Sequence, residues 1–438
     1  MKERTPTVPG RMTVVRTEIV LKPGEQQPLR RVDFVGGVWH GAFLAVGMTL
    51  VDPNAVIPAF VIDLTGSPIW VGGLAALLAV SAAAPQLLVA RFVEPLKRKR
   101  SVLLTAIYLR TASWAILGFL IAAVGPDRPK LVLSGLVVLL GLFSVGGALG
   151  GVPYTDIIGK VIPARRRGAF FASTQGAGKV LSVGAAVLVG VVLTHAYPTN
   201  YATLFLLSAL SLSIASLGIW AIREPVAKEP TCRRLPWGLY LRSLGEPLRA
   251  LRGLALVAWV TGFGLMAVPF YIVAAKQAFG APPAATAWFI GALVAGALIG
   301  SLVWAQLVDR FGSRRMLLVC VIVSALTPLV ALSAWVVGWP ILVLVAGLVG
   351  ATTAGRGVGF SSALLEIAPA ERRPTYAATY ALLGLPIAAM PLIGGIIVKW
   401  LSFEALWGLT ALLLACAVEV VRQWNAAGAR YSPAERGT

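Results

Sequence analysis

The chain has 438 residues, of which 58% are hydrophobic and 13% charged, and its mean hydropathy is +0.82. A soluble protein carries about 25% charged residues, so this composition excludes a soluble globular domain. The formal charge of +20 does not point to nucleic acid, because the basic residues sit in short loops between apolar runs, where membrane proteins carry their orientation signals.

Residues 1–33 are polar and basic with scattered Pro and Gly, and they lack the apolar core and cleavage site of a secretory leader. They read as a cytoplasmic tail, with the first span acting as an uncleaved insertion signal. Twelve apolar runs follow, at roughly 34–61, 69–90, 101–124, 130–152, 168–194, 201–222, 254–275, 284–307, 316–337, 339–362, 375–398 and 404–422. Each is close to the 20 or so residues that cross a bilayer as helix. The runs are continuous, as in Leu131 to Gly151, whereas a spanning barrel would alternate. The predicted fold class is an all-α membrane protein with twelve transmembrane helices in two pseudo-symmetric six-helix bundles. The bundles occupy 34–222 and 254–424, joined by a cytoplasmic linker at 223–253 and followed by a cytoplasmic tail at 425–438.

Lys and Arg set the orientation. Arg128, Lys130, Lys276 and Lys399 fall in outer loops, and Arg110, Lys179 and Arg356 fall inside spans. The remaining 31 of the 38 lie in inner loops and tails. This bias predicts both termini on the cytoplasmic side of a bacterial inner membrane. In the linker, Trp237, Tyr240, Leu241, Leu244, Leu248 and Leu251 recur at helical steps with Arg242, Arg249 and Arg252 between them. They predict a basic amphipathic helix on the inner leaflet, against which Pro247 counts. The two halves read as diverged copies. Pro163-Ala-Arg-Arg-Arg-Gly-Ala-Phe-Phe-Ala-Ser173 follows span four, and Pro369-Ala-Glu-Arg-Arg-Pro-Thr-Tyr-Ala-Ala-Thr379 follows span ten.

Cys232, Cys320 and Cys416 are far apart and form neither a metal site nor a disulfide framework. With two distant histidines and no cluster of acid, base and nucleophile, the chain is not expected to be an enzyme. No nucleotide-binding motif follows the glycines Gly146, Gly147, Gly150 and Gly151 of span four, which are expected to let helices pack closely. No cofactor is expected.

After span eight the chain reads Ala305-Gln-Leu-Val-Asp309-Arg310-Phe-Gly312-Ser-Arg314-Arg315. This resembles the signature loop of the major facilitator superfamily, Gly-x-Leu-Ala-Asp-Arg-x-Gly-Arg-Arg, with Ala305 and Ser313 as departures. The first-half counterpart is degraded, with Glu94 in place of Asp and no Gly. The resemblance implies a secondary transporter in which Asp309, Arg310, Gly312, Arg314 and Arg315 take part in a cytoplasmic gate. Glu94, Asp156 and Glu366 are the acidic groups placed to assist, the last two through pairs with Arg165–Arg167 and Arg372–Arg373. Such exposed pairs contribute about 0–1 kcal/mol each.

An ionisable group at membrane depth is a functional candidate. Asp52 is the sharpest, because Pro53 and Pro58 break span one beside it, and broken helices are where transporters place polar sites. Asn54, Lys179, Arg356, His40 and Gln175 join it as candidates for proton coupling or substrate contact. Tyr154, Tyr376 and Tyr380 are possible hydrogen-bonding partners there. By the resemblance, Lys179 and Arg356 face a central cavity and favour an anionic substrate or neutralise Asp52, while Arg110 sits on a peripheral span as a structural group. Trp70, Trp400 and Trp407 are assigned to the interfacial aromatic belt. Gly384, Pro386 and Pro391 are expected flex points in span eleven. The expected partners are a small organic solute, protons and the lipid bilayer, with no nucleic acid, and the chain is expected to act as a monomer. Proton-coupled export is the leading expectation. Uptake of an organic anion is the alternative, and a transporter-like receptor or assembly factor without flux is the reading from another class.

Overall fold

Apolar runs that must satisfy every backbone group without water become helices, and all regular structure among the described residues is helical. The structure is a computed structural model that describes residues 30–85, 89, 96, 98–225, 238, 245–369 and 373–429. The first passage is α1 (Arg31–Leu50) and α2 (Val56–Thr65), parted by a non-helical segment at 51–55. Next come α3 (Pro68–Ala83), α4 (Arg100–Val124), α5 (Pro129–Val161), α6 (Ala164–Leu193) and α7 (Thr199–Ala221). The second half opens with α8 (Gly245–Gly262) and α9 (Phe270–Gln277), separated by the tight turn Phe263–Met266. It continues with α10 (Ala285–Leu332), α11 (Pro340–Ile367), α12 (Arg373–Leu383), α13 (Met390–Trp400) and α14 (Phe403–Ala429), with the turn Leu385–Ala389 breaking the eleventh passage. That break holds Pro386 and follows Gly384, two of the expected flex points.

Among the described residues, ten helical segments are long and apolar enough to cross a membrane. One of them contains α10, which is a hairpin. Gly312 has φ 81 and ψ 164, a conformation open essentially to glycine alone. Trp304 and Cys320 stand eight residues to either side of it, yet both close on Gly355 of α11. A straight helix would hold them about 24 Å apart. With α10 folded back and the shorter apolar α3 included, the passages number about twelve, and the chain is an all-α membrane protein.

Helices outrun the apolar runs that announce them. α5 continues to Val161, α8 begins at Gly245, and the two arms of α10 meet at Gly312 without a loop. Hydropathy marks where the bilayer ends, while backbone hydrogen bonding carries the helix on into water. This corrects the linker reading. Leu248 and Leu251 do not belong to a separate surface helix. They lie on α8, where Leu251 is fully buried beside Val257, Phe360 and Val421. The earlier part of the expected amphipathic helix, Trp237 to Leu244, falls outside the described residues.

Packing follows the needs of helices in lipid, where small residues and close backbone approach replace the hydrophobic drive. Gly146 lets α5 sit on α4, since a methyl there would meet Arg110 Cγ at 2.8 Å and the Ala106 carbonyl oxygen at 3.1 Å. Trp114 of α4 stacks on Phe143 of α5 at 4.1 Å and tilts against Phe205 of α7 at 5.1 Å. Trp407 is not an interfacial belt residue. It is 0% exposed, inside the second half between Tyr271 and Phe403. Trp70 and Trp400 are exposed, as belt residues are.

The helix ends near both termini define one side of the molecule, here called the terminal side. The two halves meet on the opposite, far side. There α3 lies along α13, α2 along α9, and α6 along the first arm of α10. A methyl on Gly395 would come within 2.5 Å of the Pro68 carbonyl oxygen, and one on Gly190 within 2.8 Å of Ala287 Cβ.

Candidate functional site

Pro53 cannot donate to a helical carbonyl, and α1 stops just before it. The Asp52 carboxylate organises the break: Oδ1 accepts the Asn54 N–H at 2.8 Å, and the Asp52 carbonyl accepts from Val56 at 3.0 Å and Ile57 at 3.1 Å. Asp52 therefore closes a local side-chain turn at the break while standing at membrane depth. Lys179 lies on α6, the helix packed along α1. α6 is brought there by Gly178, which packs on Ala45, and by Thr49, which donates to Ser182 at 2.9 Å. Gln175 lies one turn before Lys179 and is exposed, and the Asn54 side chain is half-buried. Lys179 thus lies on the helix that packs beside the break at Asp52.

Arg356 stands apart from them. It lies in a cavity whose described lining residues all belong to the second half, among them Thr261, Tyr271, Ser324, Thr353 and Thr410. It donates to the Thr261 hydroxyl and packs over the Phe360 ring at 5.2 Å. Facing both cations into one cavity with Asp52 is therefore not what the structure shows. Arg110 is not peripheral: it turns into the first half, donating to Met48 Sδ at 3.0 Å and lying 4.3 Å over the Phe143 ring. Its Nε is buried without a partner among the described residues. His40 is 4% exposed, with Nδ1 3.1 Å from the Ala215 carbonyl and the Tyr154 ring 5.6 Å away. It is a packed, hydrogen-bonded residue. Tyr376 donates to Glu246 at 3.3 Å, and Tyr380 packs near Phe360 beside Arg356.

On the terminal side, Asp309, Arg310 and Arg315 are exposed. Among the described residues they form no hydrogen bond or ion pair. Arg314 fastens the turn of α10 to α14, donating to the Trp424 carbonyl at 3.1 Å with its guanidinium 4.3 Å over the Trp424 ring. Ser313, one of the two departures from the signature, is buried and donates to Glu366 Oε2 at 2.9 Å. Glu366 was expected to pair with Arg372 and Arg373. Arg372 and the Arg373 side chain fall outside the described residues, as does Glu94. Asp156 does not pair with Arg165–Arg167. It pairs with Lys99 at 3.1 Å and, one turn along α5, with Lys160 at 2.5 Å. Arg167 instead caps α5 by donating to the carbonyls of Gly159 and Ile162. α5 outruns its apolar stretch, so Asp156 lies on a helix face turned toward α4, away from the arginine loop. Glu224 joins this network by accepting the backbone N–H groups of Lys99 and Arg100 at the start of α4, where a carboxylate is favoured by the helix dipole.

The far side holds a group the sequence reading missed. Lys276 at the end of α9 reaches Asp63 near the end of α2, with Nζ 2.7 Å from Oδ1 and 2.5 Å from Oδ2. Tyr201 of α7 donates to the same carboxylate at 2.7 Å. This ion pair links the two halves. The signal available in sequence was faint: opposite charges at corresponding ends of passages one and seven.

Two bundles of about six passages, broken first and seventh helices, charges at membrane depth and halves joined on one side give the chain the build of a polytopic membrane transporter. Residues 254–424, the second half of the chain, match the family model described as Major Facilitator Superfamily. Among solved structures, the nucleoside transporter NupG superposes with a TM-score of 0.70 at 10% identity, over 90% of this chain and 99% of that one. A bacterial homologue of the iron transporter ferroportin, in an inward-facing state, gives 0.66 at 14% identity, over 91% and 99%. An uncharacterized protein of Mycobacterium tuberculosis (strain H37Rv) is 25% identical over 416 residues, which span 89% of this chain and 76% of that relative.

Proposed function

We propose that the protein is a proton-coupled secondary transporter that exports a small organic solute by alternating access. It would sit in the bacterial inner membrane as a monomer with both termini cytoplasmic, the orientation that the 31 inner basic residues favour. The observation that carries this reading is Asp52, held at a helix break in the membrane. One carboxylate oxygen is engaged by Asn54. A proton and a donor group of the solute would compete for what remains, and competition for one acid gives exchange. With protons driven inward, exchange moves the solute outward.

The far-side contact of Asp63 with Lys276, and Asp309, Arg310 and Arg315 exposed and without a partner among the described residues, fit a conformation open toward the cytoplasm. In this proposal, closing the inner face gives Asp309, Arg310 and Arg315 partners across the halves while Arg314 and Gly312 hold the turn. Glu94, Asp156 and Glu366 supply the acidic side of that gate.

The test is flux in proteoliposomes with and without a pH gradient, using solutes selected because they raise the melting temperature of the purified protein. An opposing proton gradient should drive accumulation, and Asp52→Asn should abolish gradient-driven transport while sparing solute counterflow. Wild-type pH dependence in Asp52→Asn would exclude the coupling role. Solute accumulating in the same direction as protons would favour anion uptake, and absence of any flux would favour the receptor or assembly-factor reading.

A further inference from the structure

The cavity around Arg356 has a composition that neither the proton site nor the gate explains. None of its lining residues among those described is acidic. Arg356 offers five N–H donors, and its only hydrogen bond among the described residues goes to Thr261. A cation at membrane depth without a carboxylate is costly, and Phe360 offsets that cost only in part through its ring face.

The hydroxyls around it divide into two sets. Thr261, Ser324, Thr327 and Thr352 already donate to carbonyls of their own helices. Thr410 does not: its Oγ1 is buried with no partner among the described residues, and it lines the same cavity. Tyr271 and Thr353 line it too, with no hydrogen bond from either side chain among the described residues. One guanidinium and three uncommitted hydroxyls therefore converge where no acceptor is supplied. The rest of the wall includes Leu265, Val268, Val349 and Leu414, which offer a larger polar ligand nothing.

We infer that this cavity is a binding site for one small monovalent anionic group, with Arg356 as its charge partner and Thr410, Tyr271 and Thr353 as donors. Charge-assisted hydrogen bonds of this kind are about twice as strong as neutral ones. The group is either a free inorganic anion or the carboxylate of an organic ligand. The site is independent of proton coupling, because its residues lie in the second half and Asp52 and Lys179 in the first.

The test is equilibrium binding of radiolabelled chloride and radiolabelled acetate to the full-length protein in detergent, without a pH gradient. Ionic strength is held constant with a bulky sulfonate. Saturable binding of at least one of the two is expected, with Arg356→Gln weakening it about tenfold or more. Thr410→Val keeps shape and charge and should weaken it about threefold to tenfold. It also stands as the second test should Arg356→Gln fail to fold. Chloride binding would assign a free inorganic anion, and binding of acetate alone would assign the carboxylate of a larger ligand. No saturable binding of either anion to the wild type, or wild-type affinity in the variants, would overturn the site. Neither of those results bears on pH-driven flux, so failure here and failure of the transport reading are separable.

Discussion

Asp63 and Lys276 lie 213 residues apart in the chain and within hydrogen-bond distance in the structure. The Lys276 side chain is 12% exposed and that of Asp63 31%, so the pair is more shielded than an ordinary surface bridge. Both carboxylate oxygens are engaged, one of them also by Tyr201. Such a pair should favour the far-side-closed state by about 1–2 kcal/mol. Lys276→Gln or Asp63→Asn should therefore raise the far-side-open population about tenfold. The check is the labelling rate of a cysteine at Leu392 in a cysteine-free background, since Leu392 packs against Gly72 across the closed face. Exchanging the two charges, Asp63→Lys with Lys276→Asp, should restore slow labelling. Equal rates in all variants would show that the pair contributes nothing to closure. Hydropathy could place each residue at a far-side helix end, but it carries no information about which end meets which. Asp52 differs, because its own neighbours Pro53 and Asn54 announce the helix break that gives it a role.

At the scale of elements, two close approaches carry specific costs. Gly72 of α3 lies against the Pro391 backbone of α13, so Gly72→Leu should wedge the halves apart at the far side. The same Leu392 cysteine should then label faster, even with the Asp63–Lys276 pair intact. Gly312→Ala forces a β-carbon onto a backbone at φ 81 and should cost about 1–3 kcal/mol, read as a lower melting temperature. Much of this level was legible. The signature loop placed a reversal at Gly312, and the prolines of the first passage placed a break at 51–55. Helix ends were less legible wherever polar residues stay helical beyond the bilayer. Asp156 was consequently matched with arginines that follow it in the chain, not with Lys99 on the neighbouring helix. Trp407 was read as interfacial because sequence position gives depth without rotation. Its ring faces Tyr271 inside the bundle, and only packing could show that.

At the scale of the molecule, orientation and conformation can be tested together. The proposed orientation puts Asp127, between α4 and α5, outside the cell and Arg310 inside it. A cysteine at Asp127 should react with a membrane-impermeant maleimide on intact cells, and one at Arg310 only after permeabilisation. The reverse pattern would overturn the orientation and, with it, the inner placement of 31 basic residues. Once the side is established, the Arg310 cysteine reports the gate. Arg310 is exposed in the far-side-closed state, and alternating access requires its side to close when the far side opens. Lys276→Gln, by opening the far side, should slow labelling at Arg310 as it speeds labelling at Leu392. Opposed changes at two positions on opposite faces are the signature of rigid halves rocking about a central site. Parallel increases at both would mean that the substitution loosens the bundles without moving one against the other.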